Sequence, residues 1–186
     1  MEEESKREKV RARLLAKIPK DGIPAEIGVW EGNFSEKIVE ITQPKELHLI
    51  DPWLYQPEFG NTGFGRKKNE TRMDEMFHEV AAKFASNPGV RLHRAMSRPA
   101  LESFPDDYFD WVYIDGNHNE PFVGEDLDLC RRKVKPGGII SGDDLNWQTE
   151  QSGAPVRRAV DALLKSLGPT AKLTVIANQY LIRLPS

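Results

Sequence analysis

Four side chains between residues 109 and 144 have the types and spacing to do chemistry: Asp115, His118 and the adjacent pair Asp143 and Asp144. The stretch reads FDWVYIDGNHNEPFVGEDLDLCRRKVKPGGIISGDD. Residues 110–114 form a short run rich in β-branched and aromatic side chains, as in a strand buried on both faces. Pro121 suits the first turn of a helix, where its missing N–H costs nothing. Val123, Leu127, Cys130 and Val134 then recur at helical spacing. Lys135-Pro136-Gly137-Gly138 stops that helix, and Ile139-Ile140-Ser141 begins a second strand. A strand–helix–strand crossover of this length makes the strands parallel and the connection right-handed. One strand therefore ends at Asp115 and its neighbour at Asp143-Asp144, on the same rim of the sheet. Neighbouring strands lie about 4.8 Å apart, so three carboxylates converge where open α/β sheets bind ligands. Such a group repels itself unless something positive neutralises it, and a hard divalent cation such as Mg²⁺ or Ca²⁺ takes oxygen ligands. Ordinary turn chemistry explains either aspartate segment taken alone. Their coincidence at successive strand ends favours a shared site.

The rest of the chain supplies the elements that position this rim. Residues 4–18 predict a helix with Val10, Leu14 and Ile18 as a narrow apolar stripe, packing on the domain from outside or covering the site. Residues 25–29 predict a strand, residues 30–33 a turn, and a helix runs from Phe34 or Ser35 to Ile41. The pattern Glu26-x-Gly28-x-x-x-Gly32 permits a tight turn and close approach of a ligand to the main chain. The N-terminus of the following helix offers free N–H groups to a carboxylate or phosphate. A purely structural turn accounts for the glycine pair as well. Residues 46–51 form the next strand, closing on Asp51 at 23 residues after Gly28. That is near the spacing at which a strand-end acid accepts hydrogen bonds from a ribose diol, whichever adenosine ligand carries it.

Residues 52–70 carry aromatics among glycines and prolines and then the basic cluster Arg66-Lys67-Lys68, without periodicity. They read as a mobile lid, with a plain surface insertion as the alternative. A helix is predicted over residues 71–84, a strand over 90–94 and a short helix around Leu101 and Phe104, with the Ala95-Met96-Ser97 loop placed to border an adenine. A last helix from Pro155 carries Val156, Val160, Leu163 and Leu167, and residues 172–176 and 180–184 read as an antiparallel hairpin. His48 and Cys130 are read as packing residues, and His78, flanking the apolar face of its helix, is given no role.

At 186 residues the chain is large enough for one domain with a sizeable core. Its net charge of −3 with dispersed Lys and Arg leaves no nucleic-acid footprint. One cysteine excludes an intramolecular disulfide framework and suits a reducing compartment. No run of 18 apolar residues predicts a transmembrane helix. The charged N-terminus lacks the apolar core of a signal peptide, so the cytoplasm is the expected location.

The segments EIGVWEGNFS, LHLIDPW, DWVYIDGNH, VKPGGIISGDD and PVRRAVDALL followed by NQYLIRL are each short, but their order and spacing are specific. Together they resemble a class I S-adenosylmethionine-dependent methyltransferase, and most nearly the cation-dependent macrocin O-methyltransferase group. Catechol O-methyltransferase is similar more distantly, in its strand-end acids. The resemblance covers nearly all of the chain from Ala25 onward. It implies a Rossmann-like α/β fold: a mostly parallel seven-stranded sheet with helices on both faces and an antiparallel C-terminal hairpin. It also implies that Glu26, Gly28, Trp30 and Gly32, with Asn33, Phe34 and Ser35 at the helix start, surround the methionine part of the cofactor S-adenosylmethionine. Trp30 stands where many methyltransferases have a middle glycine. Asp51, with Trp53 beside it, is placed at the ribose and Met96 and Ser97 at the adenine, and Asp115 is counted among the cofactor-binding residues as well. Asp115, Asp143 and Asp144 are implied as ligands of a divalent cation, Mg²⁺ foremost. His118 takes the place of a general base, with Asp115 beside it in the catalytic pair.

A sulfonium methyl is already activated, so such an enzyme mainly aligns an oxygen nucleophile behind it. The expected partner is thus a small-molecule methyl acceptor with vicinal oxygens, a sugar-containing metabolite or a catechol-like ring. A nicotinamide-dependent oxidoreductase would share the glycine turn and Asp51 but leaves Asp115, Asp143 and Asp144 unexplained. A non-catalytic module of the same fold is a third reading. The N-terminal helix and the lid are surfaces through which a homo-oligomer would form.

Overall fold

The computed structural model describes residues 5–150 and 153–186. Residue 4 of the predicted first helix, and Gln151 and Ser152 of the loop after Asp144, lie outside the described residues. The centre of the molecule is two strands of near-continuous apolar sequence, β1 (Pro24–Ile27) and β4 (Phe109–Ile114), paired in parallel. Both are buried along almost their whole length, as strands covered by helices on both faces must be. On one side β1 pairs with β2 (Leu47–Asp51), and β2 with β3 (Val90–Arg94), again in parallel. On the other, β4 pairs in parallel with β5 (Val134–Gly142). The C-terminal hairpin of β6 (Lys172–Ile176) and β7 (Gln179–Arg183) completes the sheet with β7 inserted antiparallel next to β5. The strand order is β3-β2-β1-β4-β5-β7-β6, the mostly parallel seven-stranded sheet with an antiparallel hairpin that the sequence implies.

Helices cover both faces. On one, α1 (Lys6–Leu15), α2 (Asn33–Thr42) and α3 (Arg72–Phe84) bury Leu14, Leu15, Ile38, Met76 and Val80 with Leu47, Leu49 and Trp111. On the other, α4 (Ser97–Glu102), α5 (Phe122–Lys133) and α6 (Pro155–Leu167) bury Leu101, Leu127, Cys130, Val160 and Leu163 against Val112, Ile140 and Ile182. The local signals match these bounds. Ser5 caps α1 in a reciprocal box with Glu8, and Pro155 opens α6 where its missing N–H is harmless. Leu14 and Leu15 are fully buried, each worth roughly 1.5–3 kcal/mol, so the C-terminal end of α1 is the anchored end.

Several boundaries differ from expectation: α1 ends at Leu15 and not at residue 18, and β1 spans Pro24–Ile27 and not residues 25–29. Pro136, Gly137 and Gly138 do not separate helix from strand: β5 begins at Val134, directly after α5. Its pairing steps from Phe109↔Val134 to Trp111↔Ile139, and the surplus residues on β5 form an irregularity that accommodates Pro136 and the left-handed Gly137. Ser97 is also helical, as the first residue of α4, with Met96 as its cap. The bonding of Ser97 and Met96 to a helix start comes from α4 beginning earlier than Leu101 alone suggests.

Candidate active site

The C-terminal ends of β1, β2, β4 and β5 open into a cleft of about 630 Å³. The strand order reverses between β1 and β4, the position where open α/β sheets form their ligand crevice. Glu26, Gly28, Trp30, Asn33, Phe34, Asp51, Met96, Ser97, Asp115, His118 and Asp144 all line this one cleft. Gly32, Ser35, Trp53 and Asp143 stand behind its wall. Gly32 caps α2 with a left-handed backbone. Ser35 donates its hydroxyl to the Glu26 carboxylate at 2.5 Å. The Trp53 indole is buried and donates to the Trp30 carbonyl at 2.9 Å.

Gly28 adopts φ +84, and a Cβ there would lie 2.2 Å from the Asp115 carbonyl oxygen. The glycine therefore lets the β1–α2 turn close against the end of β4, a protein–protein approach and not only a path for ligand. Asp51 ends β2 as its spacing implied, but its oxygens face inward. Oδ2 accepts from the N–H groups of Val29 at 2.9 Å and Trp30 at 3.0 Å, and Oδ1 from that of Trp53 at 2.7 Å. It ties together the two loops that frame the cleft. Trp30, left-handed at φ +57, would touch a side chain on Gly63 at 3.2 Å, so it forms the contact between the β1–α2 turn and the loop over residues 52–70.

The rim carboxylates are arranged unequally. Asp143 is nearly buried; its Oδ1 accepts from the Asp144 N–H at 2.8 Å and its Oδ2 from Arg7 and Arg11. Burial alone would raise its pKa, but the hydrogen bonds from Arg7 and Asp144 and the two positive charges hold it below the ordinary range. Asp115 shares the same arginines through Oδ2. Burial dominates there, with Asp143 and Asp144 adding to it against the pull of Arg11, and the group is pushed up to about 7. Asp144 keeps its Oδ2 toward the cleft while Oδ1 accepts from Asn178 at 2.9 Å. His118 stands between the two, Nε2 at 3.7 Å from Asp115 Oδ1 and Nδ1 at 3.8 Å from Asp144 Oδ2. Burial keeps the imidazole pKa low and hence the ring neutral, against the raising effect of Asp144 and Asp143. Its Nε2 is buried without a hydrogen-bond partner among the described residues. One donor atom each from Asp115, His118 and Asp144 lie within 4.8 Å of one another.

Two groups of residues in this cleft carried no sequence signal of their own. Arg7 and Arg11 reach it from α1, with Arg11 stacked over the Phe34 ring at 4.5 Å. Asp126 of α5 is a buried acid in the wall near Ser97; burial raises it to about 6, with a hydrogen bond from Ser97 opposing. The arginines are one helical turn apart, a spacing that a solvated face shares; a buried Asp one residue from Leu127 reads like an exposed helix position. The packing residues behave as such. His48 is buried against His93, Phe104, Tyr108 and Phe109, and Cys130 is a buried thiol.

A family model described as methyltransferase domain matches residues 25–145. The chain belongs to that family, within the class I S-adenosylmethionine-dependent methyltransferases. No curated protein sequence matches it. Among solved structures it is similar to the precorrin-6y C5,15-methyltransferase of Geobacter metallireducens GS-15, with a TM-score of 0.65 and 17% identity over 100% of this chain and 93% of that one. It is also similar to a Staphylococcus aureus protein assigned as a caffeoyl-CoA O-methyltransferase (TM-score 0.66, 14% identity, 96% and 82% covered). An N-methyltransferase of Bradyrhizobium japonicum WM9 is comparable (0.62, 14%, 96% and 97%). At these identities the likeness is one of fold. The family sets the nicotinamide-dependent reading aside. Among the described residues, no helix is long and apolar enough to cross a membrane.

Proposed function

We propose that the protein is an O-methyltransferase of the macrocin O-methyltransferase type, acting on a small molecule with vicinal oxygens and assisted by a divalent cation. The observation that carries this reading is the placement of His118 between Asp115 and Asp144, 3.7 Å and 3.8 Å from their carboxylate oxygens, in the cleft. The donor set fits a cation: two carboxylate oxygens and an unpartnered imidazole nitrogen within reach of one another. Asp115 and Asp144 would hold it, and when bound it supplies a Lewis acid that lowers the pKa of an acceptor hydroxyl.

The chain's own residues do the rest. Glu26, Asn33 and Phe34 border the methionine end of the cleft, while Met96, Ser97 and Asp126 border the adenine end. Asp51 fixes the loops between those ends. Leu54, Phe64, Phe122 and Trp147 line the same cleft and give the acceptor side its apolar surface. His118, whose pKa burial lowers, would accept the acceptor hydroxyl's proton as that oxygen bonds to the methyl carbon and the methyl–sulfur bond breaks, S-adenosylhomocysteine leaving as the neutral thioether. The same geometry favours a second role for this residue, as the third cation ligand. Replacing His118 by Ala distinguishes them in a methyl-transfer assay with isothermal titration. We expect turnover to fall at least a hundredfold while S-adenosylmethionine still binds. Cation affinity that is retained marks a base, and cation affinity that is lost marks a ligand. Full turnover in His118→Ala would sink both roles.

A further inference from the structure

Crowded carboxylates need a positive counterpart, and in this structure α1 provides one. Arg7 donates to Asp143 Oδ2 from Nε at 3.0 Å and from Nη2 at 2.7 Å, and Nη2 lies 3.4 Å from Asp115 Oδ2. Arg11 Nη2 donates to Asp143 Oδ2 at 3.0 Å and also to Asp115 Oδ2. Asp115 is thus the member common to two sets: the arginine cluster, and the donor trio it forms with His118 and Asp144. A guanidinium pair and a divalent cation on one carboxylate bring several positive charges within a few ångströms in a partly buried site, where repulsion is poorly screened. The two occupants exclude each other more than they cooperate.

The helix is built to yield at one end. Leu14 and Leu15 are buried, whereas residues 5–9 are exposed and the Arg7 side chain is 58% exposed. The N-terminal half is tied to the cleft by Arg7, by Arg11 and by the partly buried Val10. We propose that α1 is a strap displaced by cation binding. Arg7 and Arg11 hold the rim carboxylates in the cation's stead, and a divalent ion at Asp115 and Asp144 drives the guanidinium groups off Asp115 and frees the start of α1. This rests on the cation-assisted reading above. Linkage then requires the converse: weakening the strap tightens the ion.

The test uses the full chain without cofactor or acceptor: wild type, Arg7→Gln, Arg7→Gln/Arg11→Gln and Asp144→Asn. Each is titrated calorimetrically with MgCl₂ and MnCl₂, and amide exchange of α1 is followed with and without the ion. The double variant is expected to bind the ion about tenfold tighter or more, and Arg7→Gln, whose side chain is 58% exposed, to show a smaller gain. Saturating ion should speed exchange of the first turns of α1 in wild type, and Asp144→Asn should lose binding. Ion affinity unchanged by both arginine variants, or exchange of α1 unchanged by the ion, overturns the strap and leaves the cation reading standing. Absence of binding in every protein, or binding that survives Asp144→Asn, overturns both.

Discussion

Glu26 shows what the cleft asks of a single residue. It is an almost fully buried acid, and burial pushes its pKa from 4.5 to about 8, with the Ser35 hydroxyl and Arg11 only partly offsetting this. The folded value lies above the unfolded one. Its contribution to stability is therefore fully present below about 4.5 and is lost as pH rises through about 8. The cofactor-free protein should lose stability across that window, at up to about 1.4 kcal/mol per pH unit for one group. In Glu26→Gln the loss between pH 7 and 8 should shrink to the smaller part that Asp115, at about 7, still contributes, while Asp126, at about 6, has mostly titrated below that window. Urea unfolding at several pH values reads this; parallel curves for wild type and variant would refute it. A cationic cofactor lowers the pKa of a neighbouring acid. S-adenosylmethionine should accordingly displace close to one proton from wild type at pH 7 and fewer from the variant, measured by titration in buffers of different ionisation enthalpy. At this scale the sequence revealed position better than orientation. The spacing from Gly28 brought Asp51 to the rim, but its oxygens serve backbone N–H groups, which no spacing encodes. Arg11 was invisible because its partners are over 100 residues away.

Between residue and fold stands the loop over residues 52–70, read from its composition as a lid. It has two short 3-10 turns, Pro57–Phe59 and Lys67–Asn69, and a ring contact from Phe59 to Phe122 at 5.2 Å. Backbone bonds close it on itself: Gln56 N–H to the Phe64 carbonyl at 3.1 Å and Thr62 N–H to the Phe59 carbonyl at 2.8 Å. The aromatics that looked suited to a ligand thus also pack among themselves and on α5, a use that aperiodic sequence does not disclose. Gly65 is its tightest point, since a Cβ there would sit 1.9 Å from the Phe59 carbonyl oxygen. Gly65→Ala should force the loop apart at a cost of about 1–3 kcal/mol, confined to the loop if it opens separately from the sheet. Amides around Phe59 and Phe64 should then exchange at least tenfold faster and acceptor KM should rise, with cofactor affinity near that of wild type. A loss of cofactor affinity equal to the loss of acceptor affinity would show instead that the loop supports both ends of the cleft.

For the whole molecule, periodicity laid out the strands and helices along the chain, because buried parallel strands and amphipathic helices leave different apolar patterns, while the seven-stranded architecture came from the family resemblance. The rim was located from the acids at two strand ends, Asp115 and Asp143-Asp144, and the structure adds that the strand order reverses between β1 and β4 at that place. What patterns could not show is that the crevice is held by loops from both halves of the sheet: Asp51 binds the turn after β1, and Gly28 packs on Asp115 after β4. A ligand bridging these loops couples to the stability of the entire sheet. S-adenosylmethionine at a hundredfold excess over its Kd should add about 2.7 kcal/mol to unfolding. For a chain of this size that is a rise in Tm of about 5–10 °C, whereas NADH at the same concentration should give none. Differential scanning calorimetry reads both directly. A rise with S-adenosylmethionine but no methyl transfer to any vicinal-oxygen acceptor would identify a binding module built on this fold. The absence of any rise would mean that the cleft does not take the family's cofactor.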